Sequence, residues 1–104
     1  MASPILITTT PQLVLPIDRN RVTVLFENAG IVPIYIKKQD TDDVVSLPSV
    51  TNFDMVLHGG TAANDGLGGE EEIDSTAAFW AVTNTSTANL AVMTTRRIQN
   101  RRVC

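Results

Sequence analysis

The residues able to do chemistry in this chain are few, and their spacing limits what they could do. His58 is the only imidazole and Cys104 the only thiol among 104 residues. Nucleophilic catalysis needs a nucleophile held against a base. No serine sits in a Gly-x-Ser-x-Gly elbow, and Cys104 ends the sequence with nothing beside it to activate it. His58 closes an apolar run just before Gly59-Gly60 and reads as a surface residue rather than a general base.

The carboxylates are more numerous and more suggestive. Asp40-Thr41-Asp42-Asp43, and the stretch from Asn64-Asp65-Gly66 to Glu72, are rich in the oxygen donors that a hard cation such as Ca²⁺ collects about six to eight at a time. Neither has the Asp, Gly and Glu spacing of an EF-hand, so both read as solvated acidic turns. Glycoside hydrolysis would need one carboxyl in an apolar pocket that raises its pKa, and acidic turns offer none. Gly66-Leu67-Gly68-Gly69 is followed by three glutamates, which would repel the phosphate that a glycine loop otherwise cradles. No catalytic residue, metal or cofactor is expected, and the chain does not read as an enzyme.

Charge carries more information in its distribution than in its sum. Eight basic against eleven acidic side chains give a net −3, a poor balance for neutralising nucleic-acid phosphates. Nine carboxylates lie between Asp40 and Asp74 with no Lys or Arg among them, while Arg96, Arg97, Arg101 and Arg102 crowd the last nine residues. These four arginines are candidate contacts for an electronegative partner surface. No stretch approaches the roughly 18 apolar residues of a membrane helix, and Met1 to Pro4 has neither the basic nor the apolar region of a signal peptide. Use without export through a signal peptide, and no contact with membrane, is the expectation. With one cysteine, no disulfide within the chain can staple the fold.

The elements that position these residues follow from composition and period. Val, Ile and Thr fill 32 of 104 positions, and apolar residues make up 43%. Such β-branched enrichment favours strands. The hydrophobic period is two throughout: Arg21 to Glu27 sets Val22, Val24 and Phe26 on one face, with Leu25 as an apolar lapse on the other, and Pro33 to Lys37 turns Ile34 and Ile36 inward. With Asn28-Ala29-Gly30 between them, residues 20–38 read as a hairpin. Further strands are expected at Ile5 to Thr8, Gln12 to Ile17, Val44 to Leu47, Phe53 to His58, Ala78 to Thr83 and Asn89 to Thr95, the last two forming a second hairpin, 78–95, around Asn84-Thr85-Ser86-Thr87. Trp80 follows Phe79 in a strand, so one ring points inward and the other outward. The segment 59–72 holds five of the six glycines and only Leu67 as an apolar anchor, and reads as a long loop.

The expected fold is thus all-β: an antiparallel β-sandwich or jelly-roll-like small barrel of about eight short strands. One domain, 12–95, carries an extended N-terminal arm, 1–11, and an Arg-rich tail, 96–104. Pro4, Ile5 and Ile7 in the arm, with Leu67 and Trp80, join the four arginines as candidate partner contacts; the arm is placed to add to a neighbour's sheet.

Six pieces of this order, Arg21-Val22-Thr23-Val24, Asn28-Ala29-Gly30, Pro33-Ile34-Tyr35-Ile36, Ser46-Leu47-Pro48, Phe79-Trp80-Ala81-Val82 and Ala88-Asn89-Leu90-Ala91-Val92, together resemble the pattern of small structural proteins of tailed-bacteriophage virions. The resemblance spans about three quarters of the chain. It implies a β-sandwich or jelly-roll module that decorates or cements a capsid, with the major capsid protein as partner, the virion as location and a homo-oligomer, a trimer foremost, as the assembled form. A head-fibre or tail-associated module that recognises a receptor or glycan is the alternative it leaves open.

Overall fold

The computed structural model describes residues 4–39, 47–62 and 67–96. Eight strands and no helix occur among them: β1 (Ile5–Ile7), β2 (Gln12–Leu15), β3 (Arg21–Asn28), β4 (Ile34–Gln39), β5 (Met55–Leu57), β6 (Glu70–Ile73), β7 (Ala78–Thr83) and β8 (Ala88–Arg96). They form two antiparallel four-stranded sheets, ordered β1-β8-β3-β6 and β2-β7-β4-β5. The first strand pairs with the last, the second with the seventh, the third with the sixth and the fourth with the fifth. This nesting, a long ribbon folded over on itself into two facing sheets, is the eight-stranded jelly roll. The all-β class and the sandwich architecture expected from the hydrophobic period are both present.

The core lies where the inward phases of the two sheets meet. Val24, Phe26, Leu90 and Ile7 from the first sheet face Ile34, Ile36, Phe79 and Ala81 from the second, all 0% exposed. Phe26 and Phe79 meet edge to face across the gap, their centroids 5.1 Å apart. That geometry suits the ring quadrupoles and adds to the area they bury.

Both expected hairpins are corrected. β3 pairs with β6 and β8, never with β4, and β7 pairs with β2 and β4, never with β8. The 29–33 and 84–87 connections are therefore arches that carry the chain from one sheet to the other. The physical reason is that a run of turn-tolerant residues about five long spans the roughly 10 Å between sheets as readily as it closes a hairpin. Period two shows which side of a strand is buried but not which strand lies beside it.

Three boundaries also differ. The strand expected at 44–47 does not reach Leu47, and Val44 to Ser46 lie outside the described residues; β5 occupies only the middle of the 53–58 run. In exchange, the acidic end of the supposed 59–72 loop forms β6, the edge strand beside β3. Thirdly, a register shift between Arg21 and Thr23 turns Val22 outward, 44% exposed, and buries Arg21 instead. Such a bulge swaps one residue between faces.

Residues 4–11, expected in an arm reaching for a neighbour, lie against the chain's own sheets. Ile5, Leu6 and Ile7 pair with Leu90, Asn89 and Ala88, and the Thr8 carbonyl accepts from the Thr83 N–H at 2.9 Å. Ile7 is in the core, so its place among the partner contacts is withdrawn.

Candidate interaction surface

The two outer faces of the sandwich are finished differently. On the second sheet the connection running through 47–54 lies over the strands. Phe53 packs edge-on against Tyr35 at 5.1 Å, while Pro48 and Val50 share a depression with Val82, which is outward in phase yet only 4% exposed. Asp54 fastens the loop, accepting from the Lys38 backbone N–H at 2.7 Å and approaching Lys37 Nζ at 3.7 Å. Trp80 is half-buried on this face, its indole N–H donating to Gln39 Oε1 at 2.9 Å.

The first sheet's outer face has no such covering loop among the described residues. Its outward phase reads Leu6 on β1, Ala91 and Met93 on β8, Thr23, Leu25 and Glu27 on β3, and Glu70 and Glu72 on β6. Leu25 stands directly opposite Met93, with Ala91 and Glu27 completing a shallow trough. Leu6 is 54% and Met93 42% exposed. Glu27 faces Glu70 across the β3/β6 ladder, and Glu72 sits opposite Leu25. The result is an apolar stripe with a carboxylate rim.

One end of the barrel is closed by a buried cation. Arg21, 4% exposed, donates from Nε to the Ser75 carbonyl at 2.9 Å, from Nη1 to Pro16 at 3.2 Å and from Nη2 to Ala77, and its guanidinium lies 5.7 Å from the Phe79 ring centroid. The fork shape of guanidinium suits three carbonyls converging from two connections. At the other end Asn28 plays the matching part: Nδ2 donates to the Val32 and Leu57 carbonyls at 2.8 and 2.9 Å, and Oδ1 accepts from the Gly30 N–H at 2.8 Å. Gly68 passes so close that a Cβ there would overlap the Asn28 carbonyl oxygen.

The residues singled out in the sequence are scattered. Pro4 is exposed and Ile5 half-buried at one sheet edge; Leu67, 67% exposed, lies by the Asn28 end rather than anchoring a loop; Arg96 ends β8 opposite Arg21. Arg97, Arg101 and Arg102 lie outside the described residues, as do Asp40, Asp42, Asp43 and Asp65. His58 is exposed, its backbone carbonyl bound to the Gly69 N–H at 2.8 Å. Among the described residues no three His, Cys, Asp or Glu side chains converge where a metal ion would sit.

The trough of Leu25, Ala91 and Met93 is not among the candidate contacts that the sequence offers. Its signal was present as apolar residues on the polar phase of two separate strands, but only the register shows that they meet. No protein-family model, curated protein or solved structure matches this chain.

Proposed function

We propose that this protein is a non-enzymatic virion structural protein that attaches as a homo-oligomer to the outer surface of a tailed-bacteriophage capsid, with the major capsid protein as its partner. The observation that carries this reading is the first-sheet face, which no described residue covers, an apolar stripe with a carboxylate rim on a jelly roll. Jelly rolls recur as viral capsid modules as well as lectin domains, so the fold is compatible with this reading, and an apolar centre inside a polar rim is how protein interfaces are built. Repetition on a lattice lets weak contacts act together, so a small module with modest surfaces suffices. A glycan-recognition role would use an exposed aromatic stacking platform; Trp80 is half-buried with its indole N–H held by Gln39, and Phe53, the one exposed ring among the described residues, is packed edge-on against Tyr35, which gives that role less to work with than the structural one.

The test is co-sedimentation with purified capsid shells. Specific, saturable binding is expected, and changing Arg96, Arg97, Arg101 and Arg102 together to Ala should weaken it by at least about tenfold at low salt and by less at high salt. Absence of binding to shells, with binding to a glycan array instead, would transfer the protein to the recognition class.

A further inference from the structure

We propose that the open face of the first sheet is the docking site for the arginine-rich segment 97–104 of a second copy of this chain. The proposal rests on the self-association in the functional reading above and names the surfaces that make it. Glu27 and Glu70 stand directly opposite one another, with Glu72 two residues along. Like charges in that position destabilise a sheet, and an opposite charge laid between them removes the penalty. Among the described residues none of these three carboxylates has a cationic partner.

Half of the chain's eight basic side chains lie at Arg96, Arg97, Arg101 and Arg102. Residues 97–104 read Arg-Ile-Gln-Asn-Arg-Arg-Val-Cys: three arginines for three carboxylates, and Ile98 and Val103 for the stripe of Leu25, Ala91 and Met93. Guanidinium pairs carboxylates through two parallel hydrogen bonds, which gives such a contact register as well as attraction.

Chain geometry makes the donor a neighbour. β8 ends at Arg96, opposite Arg21, at the far end of the sheet from Glu27 and Glu70. To reach its own face the segment would have to reverse, and a turn at Gln99-Asn100 leaves four residues, about 13 Å of extended chain, against the roughly 20 Å that six strand residues put between Arg21 and Glu27. Continuing past the sheet, eight extended residues reach up to about 28 Å, enough to lie along the face of an adjacent molecule. Tail on face is a head-to-tail contact, which closes into a ring when the rotation between copies allows.

The full chain is examined by sedimentation velocity beside two charge-swap variants, Arg101→Glu/Arg102→Glu and Glu70→Arg/Glu72→Arg. The parent is expected to associate at low salt and to dissociate as salt rises. Each variant alone should lose at least about tenfold in association, and an equimolar mixture of the two should recover it, since the acidic tail of one fits the basic face of the other. Near-ultraviolet circular dichroism checks folding, and Glu70→Gln/Glu72→Gln, which adds no bulk or charge, should show the same loss should the arginine version fail that check. A monomeric parent at all salt concentrations, variants that associate as the parent does, or a mixture that does not recover would each overturn the proposal. A parent that stays monomeric yet binds shells would overturn it, and with it the homo-oligomeric form of the functional reading, while leaving attachment to the capsid intact.

Discussion

Arg21 shows what a residue can do that its type does not announce. The alternation of its strand marks it as outward and polar, yet the bulge beside it turns the guanidinium into the barrel end, onto the carbonyls of Pro16, Ser75 and Ala77. A one-residue register shift has no hydrophobic signature, so this burial was not legible in the sequence, whereas that of Phe26 was; alternation set Phe79 and Trp80 on opposite faces without saying which ring is inward, and the structure buries Phe79. Because the carbonyls would be left buried and unpaired, Arg21→Met should cost about 2–4 kcal/mol by chemical denaturation. Arg21→Lys, with a point charge in place of a fork, should recover only part of that. A change within about 0.5 kcal/mol for Arg21→Met would mean that the barrel end does not depend on it. Asn28 is legible only by type: its residue type marks a turn, and the structure makes it the buried clamp that ties the arch 29–33 to β5.

At the scale of elements, what was readable was the face and what was not was the neighbour. Period two placed Val24, Phe26, Ile34 and Ile36 inward, all of them fully buried. The two expected hairpins are arches because arches and hairpins use the same turn residues, and the ladders that decide between them join strands far apart in the chain. The β6 strand escaped notice because Glu-Glu-Glu-Ile has little intrinsic strand preference and sits beside a glycine run; it pairs because β3 offers it an edge. Its charges have a use there. Glu71 lies opposite Phe26 on the inward phase of an edge strand and remains exposed, an arrangement that discourages another strand from adding to the edge. Glu71→Val should therefore leave the thermal midpoint nearly unchanged but raise light scattering on storage several-fold, at high salt as well as low. Glu70→Val, on the other phase, should promote aggregation less. Equal scattering from the two variants would show that loss of charge alone, and not its inward placement, governs the edge.

At the scale of the molecule, the nested topology ties the first strand to the last, and this overturns the expectation of a free arm in the described residues. β1 is only three residues long, yet it covers one edge of β8, puts Ile7 into the core, and precedes a turn whose Thr8 carbonyl holds the end of β7. Burying one isoleucine side chain is worth about 1.5–3 kcal/mol, and the three ladder positions and the Thr8 bond add to it. A domain of this size has a total stability of only about 5–15 kcal/mol. Deleting residues 1–8 should therefore lower the thermal midpoint by more than about 10 °C or abolish the cooperative transition, since each kcal/mol shifts a domain of this size by about 4–8 °C. A dispensable arm makes the opposite prediction: the truncated chain would melt with the parent and lose only its affinity for a partner. Because the strands that close the roll come from opposite ends of the chain, folding must await both, and non-local pairing of this kind folds in milliseconds to seconds. The truncated chain should accordingly refold more slowly or not at all in stopped-flow fluorescence of Trp80, whose strand β7 receives the Thr8 bond. An unaltered refolding rate together with an unaltered midpoint would return residues 1–8 to the role of an arm.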